Sequence, residues 1–410
     1  ELEKNELFDD LFTKQGIDIS CIRIPLGGSD FSLPESMGGG AYTYDDVPAG
    51  YTDPTFTQFT IERDLDYVLP ALQQAKARKD NMAFMMTPWT APAWMKVNDS
   101  LFGAQLKDTS GWTETYSQYL VMALEAYETE NISIEWLTLQ NEPLNNLATL
   151  PSMVMDWWDQ VNLIAWNLAD EVINHNLSTR LLIYDQNWAQ SWYPITILDR
   201  LQDPNGNPNL SAYYTIVDGT AFHAYDGIPQ KQAEVYTAHP TKNIYFTECT
   251  GHYKYQTETP DQNFAGDLMW EATNILIGAM RNYAKTALFW NIALDENGGP
   301  HLPGAGGEFD SEPKHCRGLV TISSTDQSVQ RHVEYYVLGH LSKFVHPGAM
   351  QIDSDSYTAQ MQSCAFLNPD GSRVLVLVNE NAETKTVKVY DGTYYYICSV
   401  PAKSIATALW

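Results

Sequence analysis

The sequence predicts an α/β fold, a (β/α)8 TIM barrel lacking its first strand, followed by a C-terminal antiparallel β-sandwich domain. Three observations carry this. Short apolar runs alternate with longer amphipathic stretches through residues 1–334. The runs are continuous in apolar character, as strands buried on both faces of a parallel sheet must be. Beyond residue 335 the texture changes to short strands with period-two alternation, separated by turn signals.

The elements follow in order. A helical pattern at Leu7–Gln15 feeds the first apolar run, Ser20–Pro25. Further strands are expected at Met82–Pro88, Ile134–Asn141, Leu181–Gln186, Thr220–Tyr225, Asn243–Thr250 and Thr286–Asn291. Between them, Ile61–Lys79, Thr113–Thr129, Trp157–His175 and Asn263–Ala284 carry helical periodicity. Strand–helix alternation at this length implies a parallel barrel. The strands number seven, so the barrel (residues 1–334) is expected to start within its first helix. Over residues 335–410, strands are expected at Ala349–Ile352, Ala359–Leu367, Arg373–Asn379, Thr384–Tyr390, Thr393–Val400 and Ile405–Leu409. Asn-Pro-Asp-Gly at 368–371 and Asp-Gly at 391–392 supply turns between them.

Composition narrows the function. The 410 residues carry a net charge of -27, from 51 acidic and 24 basic side chains. Such a surface repels phosphate backbones and anionic headgroups, which argues against nucleic-acid or membrane-surface partners. A neutral polymer meets no such repulsion. No run of about 18 apolar residues is present to span a bilayer. Five scattered cysteines do not form a disulfide framework, although one or two bridges stay open. No ligand-spaced His/Cys cluster occurs, so neither a metal nor a cofactor is expected.

Two segments carry the chemistry. Leu-Thr-Leu-Gln-Asn-Glu-Pro (137–143) and Ile-Tyr-Phe-Thr-Glu-Cys-Thr (244–250) each read as a buried strand ending on one glutamate, Glu142 and Glu248. The active site of a parallel barrel lies at the C-terminal ends of its strands. These two strands count as the fourth and seventh, so the carboxylates are expected to approach each other across the mouth. Paired carboxylates are the machinery of glycoside hydrolysis, about 5–5.5 Å apart for retention and about 6.5–9.5 Å for inversion. A single glutamate at a helix N-terminus is as readily a macrodipole partner. Two in equivalent places favour catalysis. Cys249, next to Glu248, is expected to face away from the mouth and pack. Trp94 and Trp136 are expected to be core.

The chain resembles glycoside hydrolase family 30, which contains endo-β-1,6-glucanases and glucosylceramidases. The motifs that carry the resemblance are RIPLGGSDFS (23–32), TPWTAPAWMK (87–96), LQNEP (139–143), FHAY (222–225), YFTECTG (245–251) and FWNIALDENGGP (289–300). The resemblance implies that Glu142 is the acid/base and Glu248 the nucleophile of a retaining double displacement. It implies sugar binding by Asp30, Trp89, Asn141, His223, Tyr225 and Trp290, with Asn141 on the 2-hydroxyl and Tyr225 donating to Glu248. Arg23 is expected to balance the acidic floor. His223 taken alone reads as a structural residue.

Within the family, NEPLNN, LPSMVM (150–155), DQNW (185–188), ALDENGGPH (293–301) and CRGLVTI (316–322) look like the β-1,6-glucanase branch. The expected function is thus that of an endo-β-1,6-glucanase acting on a β-glucan or other β-glucoside, with a glucosylceramidase acting on glucosylceramide as runner-up. A third reading is an inactive, truncated carbohydrate-binding relative. An extracellular location is expected, or a lysosome-type compartment under the glucosylceramidase reading. Endo or exo attack and the oligomeric state stay open.

Overall fold

The computed structural model describes residues 2–108, 111–202, 208–253, 259–305, 315–355 and 360–410. Seven parallel strands form one curled sheet in sequential order: β1 (Cys21–Leu26), β2 (Ala83–Pro88), β3 (Trp136–Thr138), β4 (Arg180–Asn187), β5 (Val217–His223), β6 (Asn243–Glu248) and β7 (Ala284–Ala287). Each strand hydrogen-bonds only to its sequence neighbours in that series, and β1 and β7 are its two edges. Between those edges lies an apolar groove of about 950 Å³, open solvent included, lined by Ile22, Thr286, Leu288, Leu319 and Leu338.

The helices cover the outside of the sheet. Apart from the short helix Glu62–Asp66, they are α1 (Leu2–Phe12), α2 (Val68–Arg78), α3 (Trp112–Thr129), α4 (Trp157–Leu163), α5 (Ala169–Asn174), α6 (Trp192–Gln202), α7 (Pro208–Ile216), α8 (Gln230–Ala238), α9 (Pro260–Glu271) and α10 (Val333–Ser342). Their spacing explains their seating: Tyr116, Leu120, Ala123, Leu124 and Tyr127 form one buried stripe of α3. Thr259 caps α9, accepting from the Gln262 amide while the Gln262 side chain returns to the Thr259 N–H. The single helices expected over 157–175 and 263–284 are interrupted by wide turns at Ile164–Leu168 and Ala272–Ala279.

Three expectations need correction. Of the expected 134–141 strand only Trp136–Thr138 is regular, although the Glu135, Leu139 and Asn141 N–H groups still donate to the Phe84, Leu182 and Pro88 carbonyls of the neighbouring strands. The expected strand at Thr286–Asn291 is two. β7 closes the parallel series, and β8 (Asn291–Leu294) joins β9 (Gly318–Ile322) and β10 (Val329–Arg331). The boundary expected at residue 335 falls inside α10, whose Val337 and Leu341 belong to the barrel core.

The C-terminal unit has two antiparallel layers. One sheet has the order β11 (Met350–Ile352), β12 (Met361–Leu367), β13 (Arg373–Asn379), β16 (Ser404–Leu409); the other is the hairpin β14 (Lys385–Tyr390) and β15 (Tyr395–Val400). Residue 359, expected to open the second strand, lies outside the described residues. Strand β13 shows why two layers form. Val374, Val376 and Val378 face the barrel core, while Leu375 and Leu377 pack with Val387 and Val400 of the hairpin.

Candidate active site

Inside the sheet, side chains stack in layers. Cys21, Met85, Trp136, Leu182, Ala221, Tyr245 and Leu288 make an apolar floor. Two residues further along each strand the pleat brings the next inward group: Arg23, Thr87, Thr138, His223, Thr247 and Trp290. Strand β4 breaks the rule. Tyr184 and Asp185 take positive φ values of 76° and 57°, and the pairing with β5 slips between Tyr184 and Gln186. This bulge turns Tyr184 outward against Tyr193 and Phe222 and brings Asp185 into the inner layer.

Asp185 is fully buried and takes four donors. Its Oδ2 accepts from Arg23 Nη2 and Thr138 Oγ1, both at 2.8 Å. Its Oδ1 accepts from Thr247 Oγ1 at 2.8 Å and faces His223 Nε2 at 3.1 Å. Burial opposes its ionisation, but Arg23 and His223 outweigh burial and hold the carboxyl well below the usual range. Burial likewise opposes the charge on His223, yet Glu248 and Asp185 lift it to about 10. The ring is therefore an imidazolium at neutral pH, with both N–H groups donating.

Glu142 and Glu248 sit above this layer. Arg23 Nη1 donates to Glu248 Oε2 at 2.7 Å, and Tyr225 Oη donates to Oε1 at 3.0 Å. Burial raises the Glu248 carboxyl, while His223 and Arg23 pull it back toward ionisation. Glu142 lies in a left-handed backbone position, φ 45°, with its N–H donating to the Asp185 carbonyl at 2.9 Å. His223 Nδ1 lies 3.2 Å from Glu142 Oε1, and Asn145 Nδ2 donates to Oε2 at 2.5 Å. Glu142, His223 and Glu248 each bring one side-chain N or O atom within 4.8 Å of the others. Among the described residues this is also the one cluster with metal-ligand spacing. Both imidazole nitrogens of this cluster already face carboxylates, Nδ1 toward Glu142 and Nε2 toward Asp185.

The structure brings every candidate from the sequence to one cavity or its floor. Asp30, Trp89, Asn141, Glu142, Tyr225, Glu248 and Trp290 line it. Arg23 and His223 lie beneath. Asn141 Oδ1 accepts from Arg23 Nη2 at 2.7 Å, which fixes the amide with its N–H₂ as the donor end. Trp89 and Trp290 stack on each other, centroids 4.8 Å apart and planes 24° apart, with Arg23 over Trp89 at 4.9 Å. Each indole therefore spends one face on its neighbour, so the pair works as one aromatic wall. Asp30 keeps a buried Oδ1 with no hydrogen-bond partner among the described residues. Burial, then Glu248 and Glu142, raise it to about 7.

Of the other expectations, Cys249 is buried in the outer core, and Trp94 is buried with its N–H on Asp45. Trp136 is only half-buried, part of the floor layer, its indole N–H on Asp218. All five cysteines are free. Sequence reasoning missed Asp185, Asn145 and Asn187, although DQNW and NEPLNN contain all three. The last two line the cavity.

Comparison with known proteins matches residues 2–345 to the glycosyl hydrolase family 30 TIM-barrel domain and residues 348–408 to the glycosyl hydrolase family 30 β-sandwich domain. The chain belongs to glycosyl hydrolase family 30. It is a glycoside hydrolase with a carbohydrate substrate. An endo-1,6-β-D-glucanase of Trichoderma harzianum, BGN16.3, is 30% identical over 92% of this chain and 72% of its own length. The lysosomal acid glucosylceramidase of Mus musculus is 26% identical over 97% of this chain and 74% of its own. Among solved structures, the endo-β1,6-glucanase BT3312 superposes with a TM-score of 0.86 at 29% identity, covering 100% of this chain and 86% of that one. No described helix is long and apolar enough to cross a membrane.

Proposed function

We propose that this family 30 enzyme is a retaining endo-β-1,6-glucanase with Glu248 as nucleophile and Glu142 as acid/base. The observation that carries the assignment is the pair itself. One oxygen of each carboxyl lies within 4.8 Å of the other, near the spacing of about 5–5.5 Å that suits double displacement. The two carboxyls also differ in their partners. Glu248 is bound by a guanidinium and a phenol, which favour the anion a nucleophile needs.

In the first step Glu248 bonds to the anomeric carbon as the glycosidic bond breaks, and the leaving oxygen takes the proton of Glu142. In the second, water loses its proton to Glu142 and displaces Glu248 from the same carbon. The net result is hydrolysis with retention. Asn141 points its N–H₂ end into the cavity, where a 2-hydroxyl can accept. The Trp89–Trp290 wall and Asp30 bound the same sugar.

The glucanase relatives and the BT3312 structure support the β-1,6-glucan assignment, as does a charge of -27, which disfavours docking on anionic membranes. An extracellular site of action suits a polymer substrate. The test is hydrolysis of β-1,6-glucan and glucosylceramide side by side, with the first-formed anomer followed by NMR. Faster glucan cleavage with β-configured product is expected. Faster cleavage of the lipid overturns the substrate, and an α-configured first product overturns the mechanism.

A further inference from the structure

Beyond the cavity, on the outer side of β6, lies a second buried charge cluster that the chemistry above does not use. Arg317 and Glu334 have side-chain exposures of 2% and 1%. Arg317 donates to Glu334 Oε1 from Nε at 3.0 Å and from Nη2 at 2.6 Å, and also to Asn263 and Asp267 of α9. We propose that this Arg317–Glu334 pair, with Glu271 behind it, is a positioning unit for Glu248. The inference rests on Glu248 being the nucleophile.

The link is the three residues that follow β6. The Cys249 carbonyl accepts from the Trp290 N–H at 2.7 Å, and the Gly251 carbonyl accepts from the Arg317 N–H at 3.0 Å. Thr250 Oγ1 donates to the Arg317 carbonyl at 3.3 Å. A Cβ on Gly251 would lie 1.9 Å from Glu334 Oε1 and 2.0 Å from Arg317 Nη2. The backbone therefore runs directly over the ion pair, and only glycine permits that approach. Moving either charged group moves the peptide three residues from the nucleophile.

Glu271 completes the unit. It is 2% exposed, and its Oε2, like Oε2 of Glu334, has no donor among the described residues. The two buried carboxyls repel each other, which favours a proton on one of them. Burial first, and then Glu334, lift Glu271 well above the usual range, so the proton resides there. The other facing groups agree. The Cys249 thiol is raised well above its ordinary value, chiefly by burial, and burial with Arg317 lowers His332 to about 4, so both are neutral. The remaining charges are Arg317, Asp267 and Glu334, with Glu248 on the far side of Cys249. An apolar replacement of such a buried pair is often as stable, so stability alone does not account for these charges and a geometric role does.

The experiment uses a 2-deoxy-2-fluoro-β-glucosyl fluoride, which forms a long-lived glycosyl-enzyme and needs no proton from Glu142. The labelled fraction counts folded sites, the labelling rate constant reports attack by Glu248, and peptide mapping locates the label. Arg317→Lys, Glu334→Gln and Glu271→Leu are expected to label fully but at least about tenfold more slowly, since an ångström of misplacement costs that much or more. Glu271→Gln keeps a donor toward Glu334 and is expected to label at the wild-type rate. Wild-type rates in the folded variants, or a loss confined to the labelled fraction, overturn the proposal. If Arg317→Lys does not fold, equal rates for Glu271→Leu and Glu271→Gln overturn it just as well. A label on a residue other than Glu248 removes the nucleophile assignment and this inference together; a label on Glu248 at undiminished rate removes only the inference.

Discussion

Asp185 binds Arg23 through a 2.8 Å ion pair in which the two side chains are 0% and 4% exposed, and the same guanidinium reaches Glu248 at 2.7 Å. Arg23 is thus held from below by one carboxylate and holds another above it. The orientation of Glu248 is set from beneath the cavity.

Asp185→Asn is therefore expected to damage both stability and catalysis. Removing one partner of a buried ion pair costs about 3–5 kcal/mol, here moderated because Arg23 keeps Glu248. A loss of about 2–4 kcal/mol in urea unfolding is expected, with kcat down by roughly a hundredfold. A variant with wild-type stability and rate would show that the Asp185 charge is dispensable.

Asp185 is hidden from the strand pattern. Six of the seven inward positions above the floor follow from counting two residues along a strand, and on that count β4 offers Tyr184. The bulge at Tyr184 and Asp185 changes the phase, and no glycine marks it. Bulges raised by local φ strain leave little trace in composition. The two glutamates were legible because each ends an apolar run, as was β13, whose alternation is regular. Helix α10 was not, because its buried Val333, Val337, Leu338 and Leu341 sit beside equally buried Glu334 and Gly339. The Glu334 charge is neutralised by Arg317, 17 residues upstream, a pairing invisible to a periodicity count.

His223 makes a pH prediction with a definite sign. Its folded value of about 10 lies above the 6.5 of an unperturbed ring. Between those values the folded state holds a proton that the unfolded state has lost. The stabilisation is complete below pH 6.5 and declines as pH rises toward 10, at no more than about 1.4 kcal/mol per pH unit. Unfolding free energies of wild type and His223→Gln, compared from pH 6 to 10, should converge as pH rises. Parallel curves would mean that the ring is neutral in the folded protein.

Tyr225 donates to Glu248 Oε1 at 3.0 Å while 42% of the residue stays exposed, so its removal leaves no cavity in the core. A hydrogen bond to a charged acceptor is worth about 1.5–3 kcal/mol, and that preference is for the anion. Tyr225→Phe should raise the Glu248 carboxyl, moving the acidic limb of kcat/KM upward by up to about one pH unit. The thermal midpoint should change little. An unmoved limb in the pH–rate profile would mean that Tyr225 acts on substrate alone.

Asp30 sits in the cavity at a cost in stability. Its carboxyl lies beside two glutamates, with Oδ1 buried and without a partner among the described residues, and titrates near 7 instead of 3.8. A carboxyl raised on folding binds a proton that the unfolded chain has released, so ionising it above that range weakens the fold. Asp30→Asn removes the charge and supplies donors, and should stabilise the protein at pH 8 by on the order of 1–3 kcal/mol. The gain should shrink as pH falls from about 7 toward 3.8, below which both states hold the proton. On β-1,6-glucan the same variant should lose tenfold or more in kcat/KM, because an acceptor facing a sugar hydroxyl discriminates most by going unpaired, about 1–3 kcal/mol. Denaturation at pH 8 and pH 5 with parallel kinetics reads both effects. A variant no more stable at pH 8, yet fully active, would place Asp30 outside sugar recognition and leave its burial unexplained.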